Sequence, residues 1–485
     1  MFGRRVIYTS ADVITEENVI AEVNAAMMVH VLNMEEEDEL YWYRRGIQPI
    51  LERKKEIRPE INNKVLENHA DEIVAFKNGY FLTRPATYRA RKDDETTTDK
   101  VEKLNEYLYR SGKQEADNKT VDWFHTVGVG VTYVQANDDP DIPVLCYALD
   151  PRGAFVVYSR RPGNKPVFGV NVVVDGNRTL LDVYTPYRVF RLMGGSLNPQ
   201  RMDLKLPVFT EALGIIGVEP NPLGAVPIIE YHYNSVNMGA FESVQSLLDA
   251  INALASNRVD GVEQFIQSLI VTTNVKFEEG TTANTIREAG MINLTSTGEN
   301  KAEIQVLSEQ LNQEQTQVLV DHLYQQVLTI CGMPNVTKGS RSTSDTGIAV
   351  LARDGWYQAD TVARNTQDLF RESNRYFDEI FLKILNKKVG LGLKSTDFEI
   401  QFAEAETTNI QAKAQSFATL IKCGLHPILA LSKSGVSNDP VGDYLMSKEC
   451  MDTLLYNAGQ QGEGGEGGPE ENEGKGPNWV RGYYR

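Results

Sequence analysis

The chain is predicted to be an α+β protein, on three observations. From the stretch "TVDWFHTVGVGVTYVQAND" to about residue 235 the sequence breaks into short β-branched or aromatic runs bounded by turn signals. Apolar residues then recur at helical spacing over 241–272. Two further helical patterns, 309–331 and a longer one beginning near Asp345, lie beyond a mixed insert.

Taken in order, residues 12–58 are helical and charged in pattern. In 59–90, apolar positions Ile61, Val65, Leu66, Ile73, Val74 and Phe76 fall near helical spacing. That pattern is expected to break at Asn78-Gly79 and continue as the extended "YFLTRPATY". A helix is expected over Asp99–Arg110. The strand candidates are "GAFVVYS", "PVFGVNVVV", "TLLDVY", "YRVFRLM" and "AVPIIEYHY", with Asp175-Gly176 as a hairpin turn between the second and third. The stretch from Phe241 carries Val244, Leu247, Leu248, Ile251, Leu254, Ala255, Val259, Val262, Phe265, Ile266, Leu269 and Ile270, a helix of about 48 Å. Residues 273–308 read as a short helix ("TTANTIREA") with two short strands ("GMINL", "AEIQVLS"). The helix over 309–331 is rich in glutamine and stops at Gly332 and Pro334. Ser344 or Asp345 is placed to cap the third helix, running to about Asn386. "DFEIQF" reads as a strand, and two or three short helices follow from 409. The Gly/Glu-rich stretch from 459 reads as a flexible acidic linker, and "NWVRGYYR" ends the chain either as a disordered terminus or as a docking peptide.

At 485 residues the chain is long enough for two to four structural units. Its 41% hydrophobic and 24% charged residues are ordinary for a folded protein. No apolar run reaches the roughly eighteen residues of a spanning helix, and the opening residues do not have the build of a secretory signal. The four cysteines, Cys146, Cys331, Cys423 and Cys450, are scattered, which fits a reduced compartment and no zinc site. With 66 acids against 49 bases the net charge is −17, so the chain taken whole repels nucleic acid more than it grips it.

Enzyme chemistry was sought in the residues and not found. "CGMPNVTKGSRSTSDTGIAVL" has the small residues and bases of a phosphate-cradling loop. Yet Thr337 stands where a nucleotide-binding loop needs its second glycine, and Gly339 where it needs a hydroxyl. The six histidines (His30, His69, His125, His232, His322, His426) form no metal-ligand spacing. "GVGV" at 128–131 lacks the third glycine of a dinucleotide fingerprint and reads as strand or bulge. The run Glu35-Glu36-Glu37-Asp38-Glu39 reads as a solvated helix face rather than a metal site. No cofactor is expected.

Three segments carry a family resemblance. They are "NNKVLENHADEIVAFKNGYFLTRPATY", "PLGAVPIIEYHYNSVNMGAFESVQSLLDAINALASNRVDGVEQFIQSLIV" and "MPNVTKGSRSTSDTGIAVL". In their order the chain resembles the portal proteins of tailed bacteriophages, most closely those of long-tailed phages of Gram-positive hosts, from about residue 60 to 455. The first 20 residues and the tail depart from the family.

The resemblance implies a portal-type fold: an α+β wing (1–240), stem helices (241–272 and 309–331) around a clip (273–308), a tunnel loop (332–346), a long wing helix with a returning strand (347–402), a helical crown (403–456) and the tail (457–485). It implies a homo-oligomeric ring, dodecameric in the virion, at one capsid vertex. Double-stranded DNA would pass through it without sequence specificity, past Lys338, Ser340, Arg341, Ser342 and Thr343 of the loop. The clip, with Glu278, Glu279, Arg287 and Glu288, would dock the terminase motor and the head–tail adaptor. Major capsid and scaffolding proteins would surround the ring, with assembly in the host cytoplasm and no membrane. No enzyme activity is implied, since the terminase would supply the energy. The alternatives are another ring protein of the virion, an adaptor or tail component, or a terminase- or helicase-type enzyme. The last needs a nucleotide loop that is missing here.

Overall fold

The computed structural model describes residues 3–266, 269–273, 303–307, 313–335, 355–402, 410–437, 440 and 442–448, apart from 57, 83, 92, 93, 176, 177, 195, 198–206 and 209–212. The chain divides into two compact units, Met1–Ala405 and Glu406–Arg485.

The first unit opens with strand β1 (Ile7–Thr9) and helix α1 (Val19–Arg44). Helix α2 (His69–Phe81), strand β2 (Thr87–Ala90), helices α3 (Glu95–Arg110) and α4 (Lys113–Val127) follow. Then come β3 (Val129–Ala136), β4 (Val144–Leu149), β5 (Ala154–Ser159), β6 (Pro166–Asp175), β7 (Arg178–Tyr184) and β8 (Arg188–Gly194). The short β9 (Ser196–Leu197) and β10 (Pro207–Val208), β11 (Gly214–Pro220) and β12 (Ile228–His232) complete the strand-rich part. Helix α5 (Gln245–Ile266), strands β13 (Leu269–Thr273) and β14 (Glu303–Leu307), helix α6 (Gln313–Ile330), helix α7 (Trp356–Lys388) and β15 (Phe398–Gln401) close the unit.

The main sheet has the order β1-β5-β6-β7-β8-β11, parallel only where β1 lies along β5. One of its faces carries Phe155, Val157, Phe168, Val170, Leu181, Val183, Phe190 and Leu192 at alternate positions. Val19, Val23, Ala26 and Met27 of α1 cover them. A second sheet, β12-β3-β4, meets its other face through Val129, Val131, Val156, Val226 and Ile228. The largest core joins α3, α4 and α7 to β2 and β15, with Phe124, Phe370, Phe377 and Phe381 fully buried.

Several expectations need correction. Residues 61–68 are irregular, and α2 runs through Asn78-Gly79 to Phe81, because the Phe76, Asn78 and Phe81 side chains are held by neighbouring helices. The helix expected over 241–272 ends at Ile266. Leu269 and Ile270 lie in β13, whose antiparallel ladder to β14 runs from Leu269↔Leu307 to Thr273↔Glu303. The last long helix starts at Trp356, since Gly355 before it takes φ 85°, a left-handed turn that an unbroken helix from Asp345 could not contain. The proposed caps Ser344 and Asp345 lie outside the described residues, as do "TTANTIREA", "GMINL" and the tail.

The carboxylate run is a solvated face only in part: Glu35 and Glu39 are exposed. Glu37 and Asp38 of α1 are buried, and Asp38 accepts from Arg152 Nη1 at 2.9 Å. The Arg152 guanidinium also lies 4.1 Å from the Tyr41 ring centroid. Glu37 has no hydrogen-bond partner on Oε2, and burial pushes its carboxyl well above the usual range.

In the second unit, α8 (Ile410–Lys422) and α9 (Pro427–Ser434) form a helical pair, and residues 442–448 are helical. His426 caps α9, its Nδ1 accepting from the Ile428 N–H at 3.3 Å, with Pro427 in the first turn.

Candidate functional site

The feature that organises the first unit is the pair α5 and α6. Cys331 Sγ lies 3.6 Å from Ala240 O at one end, and farther along Arg258 Nη1 donates to Gln317 Oε1 at 2.5 Å. Those two contacts make the helices antiparallel. Val244, Leu248 and Ile251 pack against Val320, Val327 and Leu328, with Val74 of α2 and Leu40 of α1 closing the seam.

One stripe of α5 is polar and buried: Asn252, Ser256 and Asp260, four residues apart. Along it lies the extended segment 63–67, a strap. The Glu67 N–H donates to Asn252 Oδ1 at 2.8 Å, Val65 N–H to Ser256 Oγ at 2.9 Å, and Asn63 N–H to Asp260 Oδ1 at 2.8 Å. The match is geometric. Four helical residues rise about 6 Å and two extended residues about 6.6 Å, so alternate strap amides meet every fourth side chain. Asn252 Nδ2 also donates to Gln48 Oε1 at 2.6 Å. Asp260 takes ion pairs from Arg53 (3.0 Å) and Lys55 (3.1 Å); burial would raise its pKa, but the hydrogen bonds from Asn63 and Lys55 and the Lys55 charge outweigh that and hold it low.

Further polar ties join the pair to the body. Tyr43 Oη donates to Asp249 Oδ1 at 2.8 Å, and Tyr324 Oη of α6 donates to Glu72 Oε1 at 2.6 Å. His69 sits 4.6 Å from the Tyr324 ring, centroid to centroid, and contacts Glu72 at 2.7 Å and Glu67 at 3.2 Å. Burial alone lowers the His69 pKa, but the two carboxylates outweigh it and leave it raised. Burial brings Lys77 of α2 down to about 8 and pushes the Cys331 thiol up to about 12.

Away from this seam the pair leaves apolar side chains uncovered. Val318 is 67% exposed, and Val259, Val262, Leu319 and Ile330 are also exposed. An exposed apolar flank on two antiparallel helices marks an interaction surface.

The site residues singled out from the sequence all lie outside the described ones. Lys338, Ser340, Arg341, Ser342 and Thr343 lie outside the described residues, which stop at Asn335 and resume at Gly355. Glu278, Glu279, Arg287 and Glu288 lie outside them too, between Thr273 and Glu303. Sequence reasoning missed the strap and its stripe. The signal available was Asn252, Ser256 and Asp260 at four-residue spacing inside an otherwise apolar helix.

Among the described residues no group of histidine, cysteine and carboxylate side chains is placed to hold a metal, and no helix is long and apolar enough to cross a membrane. Residues 32–427 match the family described as "Phage portal protein, SPP1 Gp6-like". No curated protein matches the chain. The match takes in the main sheet except β1, the second sheet, the strap and the α5–α6 pair. That family is structural rather than catalytic, its members are virion components, and membership carries an oligomeric ring associated with capsid and terminase. The chain belongs to this family: it is a structural portal protein of a bacteriophage, the head–tail connector through which DNA is packaged.

Proposed function

We propose that the protein acts as a dodecameric ring at one capsid vertex and passes double-stranded DNA without reading its sequence. In this reading α5 and α6 are the stem, and the segment between β13 and β14 is the clip, docking the terminase motor and later the head–tail adaptor. Residues 332–346 form the tunnel loop, α7 returns into the wing, and residues from 403 form the crown. Major capsid and scaffolding proteins meet the ring during assembly in the host cytoplasm. Catalysis is left to the terminase.

The observation that carries this reading is the family match over 32–427 joined to the exposed apolar flank of an antiparallel helix pair. The net charge of −17 supports it. Each phosphate contact adds affinity by counterion release, so a densely basic channel would hold DNA too tightly to move. Light scattering and negative-stain microscopy test the reading. A large ring with a central hole is expected, and a monomer persisting at all micromolar concentrations in ordinary salt would overturn it.

A further inference from the structure

The segment before α1 lies outside the residues that match the family, yet it is built into the centre of the first unit. Arg4 is nearly inaccessible, and its guanidinium reaches three elements at once. Nη2 donates to Glu242 Oε1 at 2.7 Å in the turn leading into α5. Nη1 donates to Val127 O at 3.3 Å at the end of α4, and Nε lies 3.2 Å from Glu36 Oε2 of α1, an ion pair without a hydrogen bond. Glu242 uses its second oxygen to accept from the Gly239 N–H at 2.9 Å, so the turn entering α5 is closed on the same carboxylate.

The backbone of the arm is clamped on both sides of this side chain. Arg4 N–H donates to Asn237 O at 3.0 Å, and Asn237 Nδ2 returns a bond to Arg4 O at 3.2 Å. The Arg5 N–H donates to Asn33 Oδ1 and Asn33 Nδ2 donates to Arg5 O, both at 2.8 Å. Gly3 takes φ 64°, and a Cβ there would stand 1.8 Å from Val236 O, so no other residue fits. Three residues beyond Arg4 the arm becomes β1 and pairs in parallel with β5. One short segment thus touches the root of α5, the end of α4, α1 and the edge of the main sheet.

We infer that Arg4 is a positioning residue: through Glu242 it fixes the direction in which α5 leaves the body, and the arm ties that direction to the main sheet. The inference rests on the reading of α5 and α6 as stem, because in a ring the tilt of the stem sets the bore. Arginine suits the position and lysine does not, since a planar fork aims two of its N–H groups at Val127 O and Glu242 Oε1 in fixed directions while holding its charge beside Glu36, whereas an ammonium is a single point. A buried ion pair adds little net stability over an apolar replacement of the same size. Its effect is on geometry.

The test compares Arg4→Met, Arg4→Lys and Glu242→Gln with the full-length wild type by three readouts: ring formation, amide hydrogen exchange and complementation of a portal-deficient phage. Rings are expected to form in all three variants. Exchange at 239–250 should rise at least about tenfold while β5–β8 stay protected. Packaged DNA per particle should fall by a similar factor in Arg4→Met and Glu242→Gln, with Arg4→Lys in between. Unchanged exchange at 239–250 would overturn the inference. So would an equal rise across β5–β8, which would make Arg4 a general stabiliser. If the wild type forms no ring, the portal reading fails on that result alone, and the exchange pattern still decides the role of Arg4.

Discussion

Asn63 places its backbone N–H 2.8 Å from Asp260 Oδ1 and its side-chain amide 3.0 Å from the same oxygen, while Arg53 and Lys55 occupy Oδ2. One carboxylate at the far end of a polar stripe therefore gathers both N–H donors of Asn63 in the strap and two cations, Arg53 and Lys55, from the segment before it. Removing it takes the side-chain partner from the Asn63 N–H and Lys55, while Arg53 keeps Asn63 O and Asn257 Oδ1 and the Asn63 side-chain amide keeps Glu263 Oε2. Asp260→Ala is expected to cost about 3 kcal/mol in urea unfolding at fixed protomer concentration, the range for breaking a buried pair from one side. Ser256→Ala, which removes one neutral acceptor, should cost about 1 kcal/mol. Equal and small losses in the two variants would show that the strap is not held by this stripe.

A second prediction concerns two groups that line one small cavity of about 20 Å³, His30 of α1 and Glu230 of β12. Burial raises Glu230 to about 7, against hydrogen bonds from the Val156 N–H at 2.7 Å and Tyr158 Oη at 3.1 Å. Its contribution is fully present below 4.5 and is lost as pH rises through 7. Burial lowers His30 to about 4, against its bond to Arg152 O at 3.1 Å. Its contribution is present above 6.5 and is lost as pH falls through 4. The two slopes oppose each other in the wild type, each worth up to about 3 kcal/mol. Relative to wild type, Glu230→Gln should gain stability as pH rises from 4.5 to 7, and His30→Gln should gain as pH falls from 6.5 to 4. Melting midpoints across that range check both signs, and parallel curves for all three proteins would refute the pairing.

How far the sequence revealed this depends on whether the deciding partner is local. The core strands β5 to β8 and the α5 and α6 patterns were legible, because an alternating or helical stripe is written in neighbouring residues. Where α5 ends was not. Leu269 and Ile270 continue the helical period by coincidence, and only pairing with 306 and 307 makes them strand. Glu37 and Asp38 were read as solvated because Arg152, which offsets Asp38, stands 114 residues away. The arm of residues 3–9 carries no periodicity at all, and its place is set by contacts to Asn237 and Glu242. As for the candidate loop and clip residues, they lie outside the described residues, and their roles rest on the family reading.

The third prediction tests the exposed flank of the α5–α6 pair. Val318 and Leu319 of α6 are exposed. Changing both to aspartate should leave far-UV circular dichroism intact and shift the protein from ring to monomer, since burying two carboxylates against a neighbour is strongly unfavourable. Rings formed at wild-type concentration would place the subunit contact elsewhere.

The last prediction concerns Lys338 and Arg341. The chain leaves α6 through a left-handed Gly332 and Pro334, and α7 starts only at Trp356, so both bases belong to a connection between two long helices. Repeated around a ring, such a connection would bring a small number of positive charges to moving phosphates. Sparse contacts release easily, which a conduit requires. Lys338→Glu with Arg341→Glu is expected to leave ring assembly and melting unchanged. It should lower DNA packaging or the retention of packaged DNA, and the deficit should depend on salt, because the lost interaction is screened as ionic strength rises. Packaging measured as nuclease-protected DNA per particle at two salt concentrations decides the matter. Wild-type values at both would mean that these two charges do not meet the DNA.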